Sequence, residues 1–114
     1  MGLPDAQQQD GLADLRAELD GIDVQLLDTL KQRLQICARI AVYKKTHTIP
    51  MMQPHRIGLV QKRAADFAKD HGINPIFLRQ LYELIIQETC SLEENIISGN
   101  EQAADVVTLN SAKT

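Results

Sequence analysis

Arg33 to Lys44 reads RLQICARIAVYK, and two cations stand in it where an apolar helical stripe would otherwise run unbroken. Eleven positions apart, Arg33 and Lys44 return to one helix face, about 16 Å from each other along the axis. Ile22, Leu26 and Ile40 fall on the same side. A plain helical bundle fills such a stripe with aliphatic side chains. Burying a lone Lys or Arg is costly unless something pairs with it. The partner this pattern calls for is an anionic ligand.

Upstream, Leu12, Leu15, Leu19, Ile22 and Leu26 step at 3-4 spacing from Asp10 or Gly11, and the rhythm continues through Leu30, Ile36, Cys37 and Ile40 to about Lys45. This predicts one helix of about 35 residues, too long for a small domain to cover from its own chain, so a second chain is expected over part of it. The same spacing also fits an ordinary coiled-coil arm. Thr46 to Gln53, THTIPMMQ, breaks the pattern with Pro50 and reads as a loop. Pro54 opens a second helix at its first position, with Ile57, Val60, Ala64 and Phe67 on one side and Ala68 beside them. It ends at Asp70-His71-Gly72. Asn74-Pro75 caps and starts a third helix, whose stripe is Leu78, Leu81, Tyr82, Ile85, Thr89, Leu92 and Ile96. The expected organisation is a flexible N-terminus over 1–9, a helical domain over 10–99 and a disordered tail over 100–114.

The 114 residues are 44% apolar with two Phe, two Tyr and no Trp, a core chemistry of Leu, Ile and Ala that indicates helices packed on helices. Twelve Lys+Arg against 15 Asp+Glu leave a formal charge of −3, so general electrostatic binding to nucleic acid is not expected. Any cationic site must be local. No basic-then-apolar leader and no stretch of roughly 20 apolar residues is seen, so the reading is cytoplasmic with no membrane contact. Gly2 lacks the Ser or Thr at position 6 that a myristoylation signal needs, since Ala6 stands there. Cys37 and Cys90 make neither a disulfide framework nor a four-ligand metal site and read as buried thiols.

The third helix has an anomaly of its own. Thr89 interrupts its stripe, and Glu93 lies one turn further on the same side. Alone, they would be a back-bonded threonine and a solvated glutamate. Beside Arg33 and Lys44 they read as part of a site.

Together these residues resemble the all-helical chorismate mutases, the AroQ class, three-helix chains that form intertwined homodimers. Arg16, Arg33 and Lys44 look like the family's first-helix arginine, second arginine and lysine, with spacings of 17 and 11. Arg56 looks like the arginine opening the second helix. Thr89 and Glu93 look like its Ser/Thr and Gln/Glu pair in the third. The match runs from Arg16 to Glu93, 78 residues, without insertion or deletion.

The resemblance implies that Arg33, Lys44 and Arg16 hold the carboxylates of a small dicarboxylate, Arg16 being supplied in trans by the partner subunit. It implies a [3,3] rearrangement, which uses no nucleophile, metal or cofactor. Such a reaction needs a substrate held in its reactive conformer and donors aimed at the ether oxygen. Lys44 can donate directly; Glu93 can donate only when protonated.

Two positions depart from the family pattern. Gln53 stands where an acid usually precedes the second helix, and Ile57 stands where a glutamate usually follows Arg56. The stretch Pro50-Met51-Met52-Gln53-Pro54, with Arg56 and Cys90, looks most like the branch that rearranges 4-amino-4-deoxychorismate on the route to p-aminophenylalanine antibiotics. Isochorismate pyruvate lyase on the same scaffold is a rival, disfavoured by Glu93. A non-catalytic helical dimerisation or regulatory module is another, and it gives no reason for cations inside the stripe.

Overall fold

The computed structural model describes residues 3–51 and 54–99, with side chains from Asp10 onward. It consists of α1 (Leu3–His47), α2 (Pro54–His71) and α3 (Pro75–Ile97), with no strand among the described residues. The chain is all-α, with one long N-terminal helix, as its sequence predicts. The expected tail over 100–114 and Gln53 lie outside the described residues.

Helix α1 is longer than its apolar rhythm at both ends. It starts at Leu3 rather than at Asp10 or Gly11, so most of the segment expected to be a flexible N-terminus has helical backbone. Periodicity is silent over Pro4–Gln9 because a single Ala6 among polar residues makes no repeat, yet Pro in the first turn and Ala and Gln after it favour helix. At the other end Thr46 and His47 are helical, not loop. The Thr46 hydroxyl donates to the Val42 carbonyl at 2.8 Å, which lets a β-branched residue finish the last turn.

The chain divides into two units, Met1–Arg33 and Leu34–Thr114. In the first, the stripe of α1 faces solvent: Leu15 is 64% exposed, Leu19 56% and Ile22 59%. Burying one such side chain contributes about 1.5–3 kcal/mol, so this rod offers a large unclaimed stabilisation.

In the second unit the end of α1 meets α3 through Ala38, Ala41 and Ile96, with Leu92 and Ile97 packed against them. Ala41 is fully buried, whereas Ile36 and Ile40, expected in the stripe, are 49% and 44% exposed. Small residues let the two helix backbones approach, and counting apolar side chains does not reveal which face is the close one. The predicted stripe of α3 is half-buried or buried along its whole length. Helix α2 packs on α3 and buries Ala64 and Ala68. Phe67, expected inside, is exposed and lies against His71, with ring centroids 4.1 Å apart and the ring planes tilted by 30°.

Two helix ends use the same device. At the end of α2, Gly72 takes φ +68° and the Ile73 N–H donates to the Ala68 carbonyl at 3.0 Å. At the end of α1, Thr48 takes φ +56° and the Ile49 N–H donates to the Lys44 carbonyl at 2.9 Å. Both are left-handed caps that satisfy a carbonyl of the last turn. Glycine enters this conformation freely, but a residue with a Cβ gives up roughly 1–2 kcal/mol to do so. Helix α3 starts as predicted: Asn74 Oδ1 accepts from the Ile76 N–H at 3.0 Å, with Pro75 in the first turn.

Candidate active site

Lys44 lies in the last turn of α1 and Glu93 in α3, 49 residues apart in sequence. The Lys44 Nζ donates to Glu93 Oε1 at 2.9 Å, and the two side chains are only 13% and 9% exposed. A second N–H of the same ammonium donates to the Met51 main-chain carbonyl, also at 2.9 Å. An ammonium carries three donors. Two are taken among the described residues.

The pair is a buried cation satisfied by a carboxylate and a carbonyl, which is how a protein tolerates a charge in an apolar setting. Glu93 is the buried charged residue of α3, not a solvated glutamate. Thr89, one turn before it, does back-bond: its hydroxyl donates to the Ile85 carbonyl at 2.9 Å. Its oxygen also lies 3.9 Å from the buried Cys37 Sγ. Cys37 is buried, as its sequence reading expects, and lies beside a residue of the expected site. Cys90 is half-buried.

The other expected site residues fall in different settings. Arg56 is exposed on the first turn of α2. In the N-terminal unit Arg16 is exposed, while Arg33 is half-buried. The structure joins two of the predicted residues, Lys44 and Glu93, directly. Met51 joins them through its backbone, which no side-chain motif announces.

Among the described residues no group of His, Cys, Asp and Glu could hold a metal ion, and no helix is long and apolar enough to cross a membrane. What the geometry offers is a buried cation and carboxyl side by side, set between helices, with two of the three ammonium N–H groups engaged among the described residues. An ammonium held in this way can donate to an oxygen placed beside it.

The chain belongs to the chorismate mutase type II family, whose model matches residues 15–94. A 4-amino-4-deoxychorismate mutase of Streptomyces pristinaespiralis is 55% identical over 93 residues, covering 82% of this chain and 72% of the relative. One of Streptomyces venezuelae is 47% identical over 98 residues, covering 86% and 95%. A chorismate mutase of Methanocaldococcus jannaschii is 22% identical over 86 residues, covering 75% and 87%. No solved structure matches.

Proposed function

We propose that this chain is an isomerase that converts 4-amino-4-deoxychorismate into 4-amino-4-deoxyprephenate by a [3,3] rearrangement, with chorismate to prephenate as the second reading of its substrate. The observation that carries the chemistry is the buried Lys44–Glu93 pair, whose ammonium is also held by the Met51 carbonyl. The amino substrate is supported by the two Streptomyces relatives, at 55% and 47% identity.

In the reaction the ether C–O bond breaks as a new C–C bond forms, within one molecule and with no net proton transfer. Negative charge grows on the ether oxygen as the old bond lengthens. Lys44 donates to that oxygen, and Glu93 donates a second hydrogen bond when it carries its proton. Fixed donors in a site closed to water stabilise this charge more than mobile water does. Arg33 and Lys44 hold the substrate carboxylates with Arg16 of the partner subunit, and Arg56 and Thr89 add further contacts to the substrate. Orientation supplies the rest, since holding the enolpyruvyl arm folded over the ring removes an ordering cost that the free substrate meets at the transition state.

The working form is a homodimer. The exposed leucine and isoleucine stripe of residues 12–26 supports a second copy as its cover. That arrangement lets each site draw Arg16 from the other chain.

Purified protein assayed side by side on 4-amino-4-deoxychorismate, chorismate and isochorismate tests the proposal. Highest kcat/KM on the amino substrate is expected. Pyruvate release from isochorismate as the main activity, or turnover of none of the three, would overturn it.

A further inference from the structure

Lys44 is gripped twice by the turn that follows it. Its main-chain carbonyl accepts the Ile49 N–H, and its side-chain ammonium donates to the Met51 carbonyl. Both contacts depend on the chain reversing at Thr48, whose φ of +56° is the left-handed conformation that α2 reaches with Gly72. Thr48 is exposed, so its side chain adds no packing that would hold this backbone in place. An exposed β-branched residue kept in an unfavourable backbone region is a sign that the surrounding contacts over-determine it.

The two carbonyl contacts differ in what they do. The Ile49 bond closes the helix end, as its counterpart on α2 does without any lysine involved. The Met51 bond has no counterpart there. It fixes the direction of the Lys44 ammonium: with one N–H held by Glu93 and a second by Met51, tetrahedral geometry leaves the third only one line along which to point. A lysine on its flexible four-carbon stem would otherwise sample several rotamers.

We propose that the Thr48 turn and the Met51 main-chain carbonyl are a positioning device for Lys44, a backbone clamp that aims its remaining N–H at the ligand. The inference deepens the isomerase reading and rests on it for its effect on turnover. The clamp itself is a property of the protein alone. Met51 acts through its carbonyl, so substitution of its side chain leaves the device in place, whereas changes to the backbone remove it.

Replacing the Met51–Met52 amide by an ester, through semisynthesis, weakens the Met51 carbonyl as an acceptor and leaves every other side chain unchanged. Two readouts follow, the solvent-exchange rate of the Lys44 ammonium in the ligand-free protein by 15N-lysine NMR, and kcat with KM on the preferred substrate. The ester is expected to speed ammonium exchange and lower kcat, each by about tenfold, with KM changed by less than about threefold. Thr48→Pro, whose ring locks φ near −65°, is expected to do the same. Thr48→Gly accepts the left-handed turn and is expected to keep the slow ammonium signal. An ester protein with unchanged ammonium exchange would overturn the clamp, whatever the enzyme's substrate proves to be. Faster exchange with unchanged kcat would overturn its role in positioning. Failure of the isomerase reading shows separately, as no turnover by the unmodified protein.

Discussion

Lys44 Nζ and Glu93 Oε1 stand 2.9 Å apart in the ligand-free chain, so the two groups expected to serve one oxygen of the substrate first serve each other. The pair neutralises two charges that neither helix could bury alone. It also makes the carboxyl a group whose role depends on its proton. As a carboxylate it accepts from Lys44; as an acid it can donate to a developing oxyanion.

Glu93→Gln puts an amide N–H, a donor that needs no added proton, where the acid would donate. Its kcat is expected to stay within about tenfold of wild type, or about 1.4 kcal/mol, whereas Glu93→Leu, which has no donor, should lose more. Steady-state kcat of both variants provides the check. The idea fails if the Leu variant turns over as fast as the Gln variant.

Removing one member of the pair should cost stability beyond the lost contact. Glu93→Ala leaves the Lys44 cation, 13% exposed, with the Met51 carbonyl as its remaining acceptor. A fully buried pair loses about 3–5 kcal/mol this way; partial exposure lowers the expectation here to about 1–3 kcal/mol. The double variant Lys44→Met with Glu93→Leu should recover most of the loss, because no charge is then stranded. Urea unfolding of the single and double variants at one pH and one protein concentration decides it.

The exposed stripe of α1 predicts that folding and association are linked. Leu19→Glu places a charge in the middle of that stripe, where Leu19 is 56% exposed in the single chain. Sedimentation at micromolar concentration should give a dimer for the wild type and a dissociated, partly unfolded chain for the variant. A folded, monomeric wild type would remove the reason for a partner chain.

If Arg16 works in the partner's site, two inactive proteins should repair each other. Arg16→Ala and Lys44→Ala, each inactive alone, should regain part of the wild-type rate when unfolded together and refolded, since one of the two sites in a heterodimer is intact. Heterodimers confirmed by mass spectrometry yet without activity would place Arg16 in the site of its own chain.

Gln53 and its Met neighbours are the candidates for setting the substituent at C4. Gln53→Asp is expected to shift the ratio of kcat/KM between chorismate and its 4-amino analogue by at least about tenfold, roughly 1.4 kcal/mol of differential transition-state binding. An unchanged ratio would move the discrimination elsewhere.

The sequence by itself determined the helices and the kinds of charge placed on them. Pro54 and the Asn74-Pro75 pair mark starts through local backbone chemistry, and apolar spacing marks the long axis of α1, because both signals act within a few residues of their cause. Arg33 and Lys44 stood out for the same reason, as charges at positions where local periodicity expects grease, and Glu93 stood out only beside them. Only the tertiary structure decided that Ala41 rather than Ile40 faces α3, since close approach of two backbones is settled by both helices at once. It alone joined Lys44 to Glu93 across 49 residues and to the carbonyl of Met51. Every residue has a carbonyl, so sequence cannot distinguish the one that meets an ammonium; that choice is made where the chain turns at Thr48.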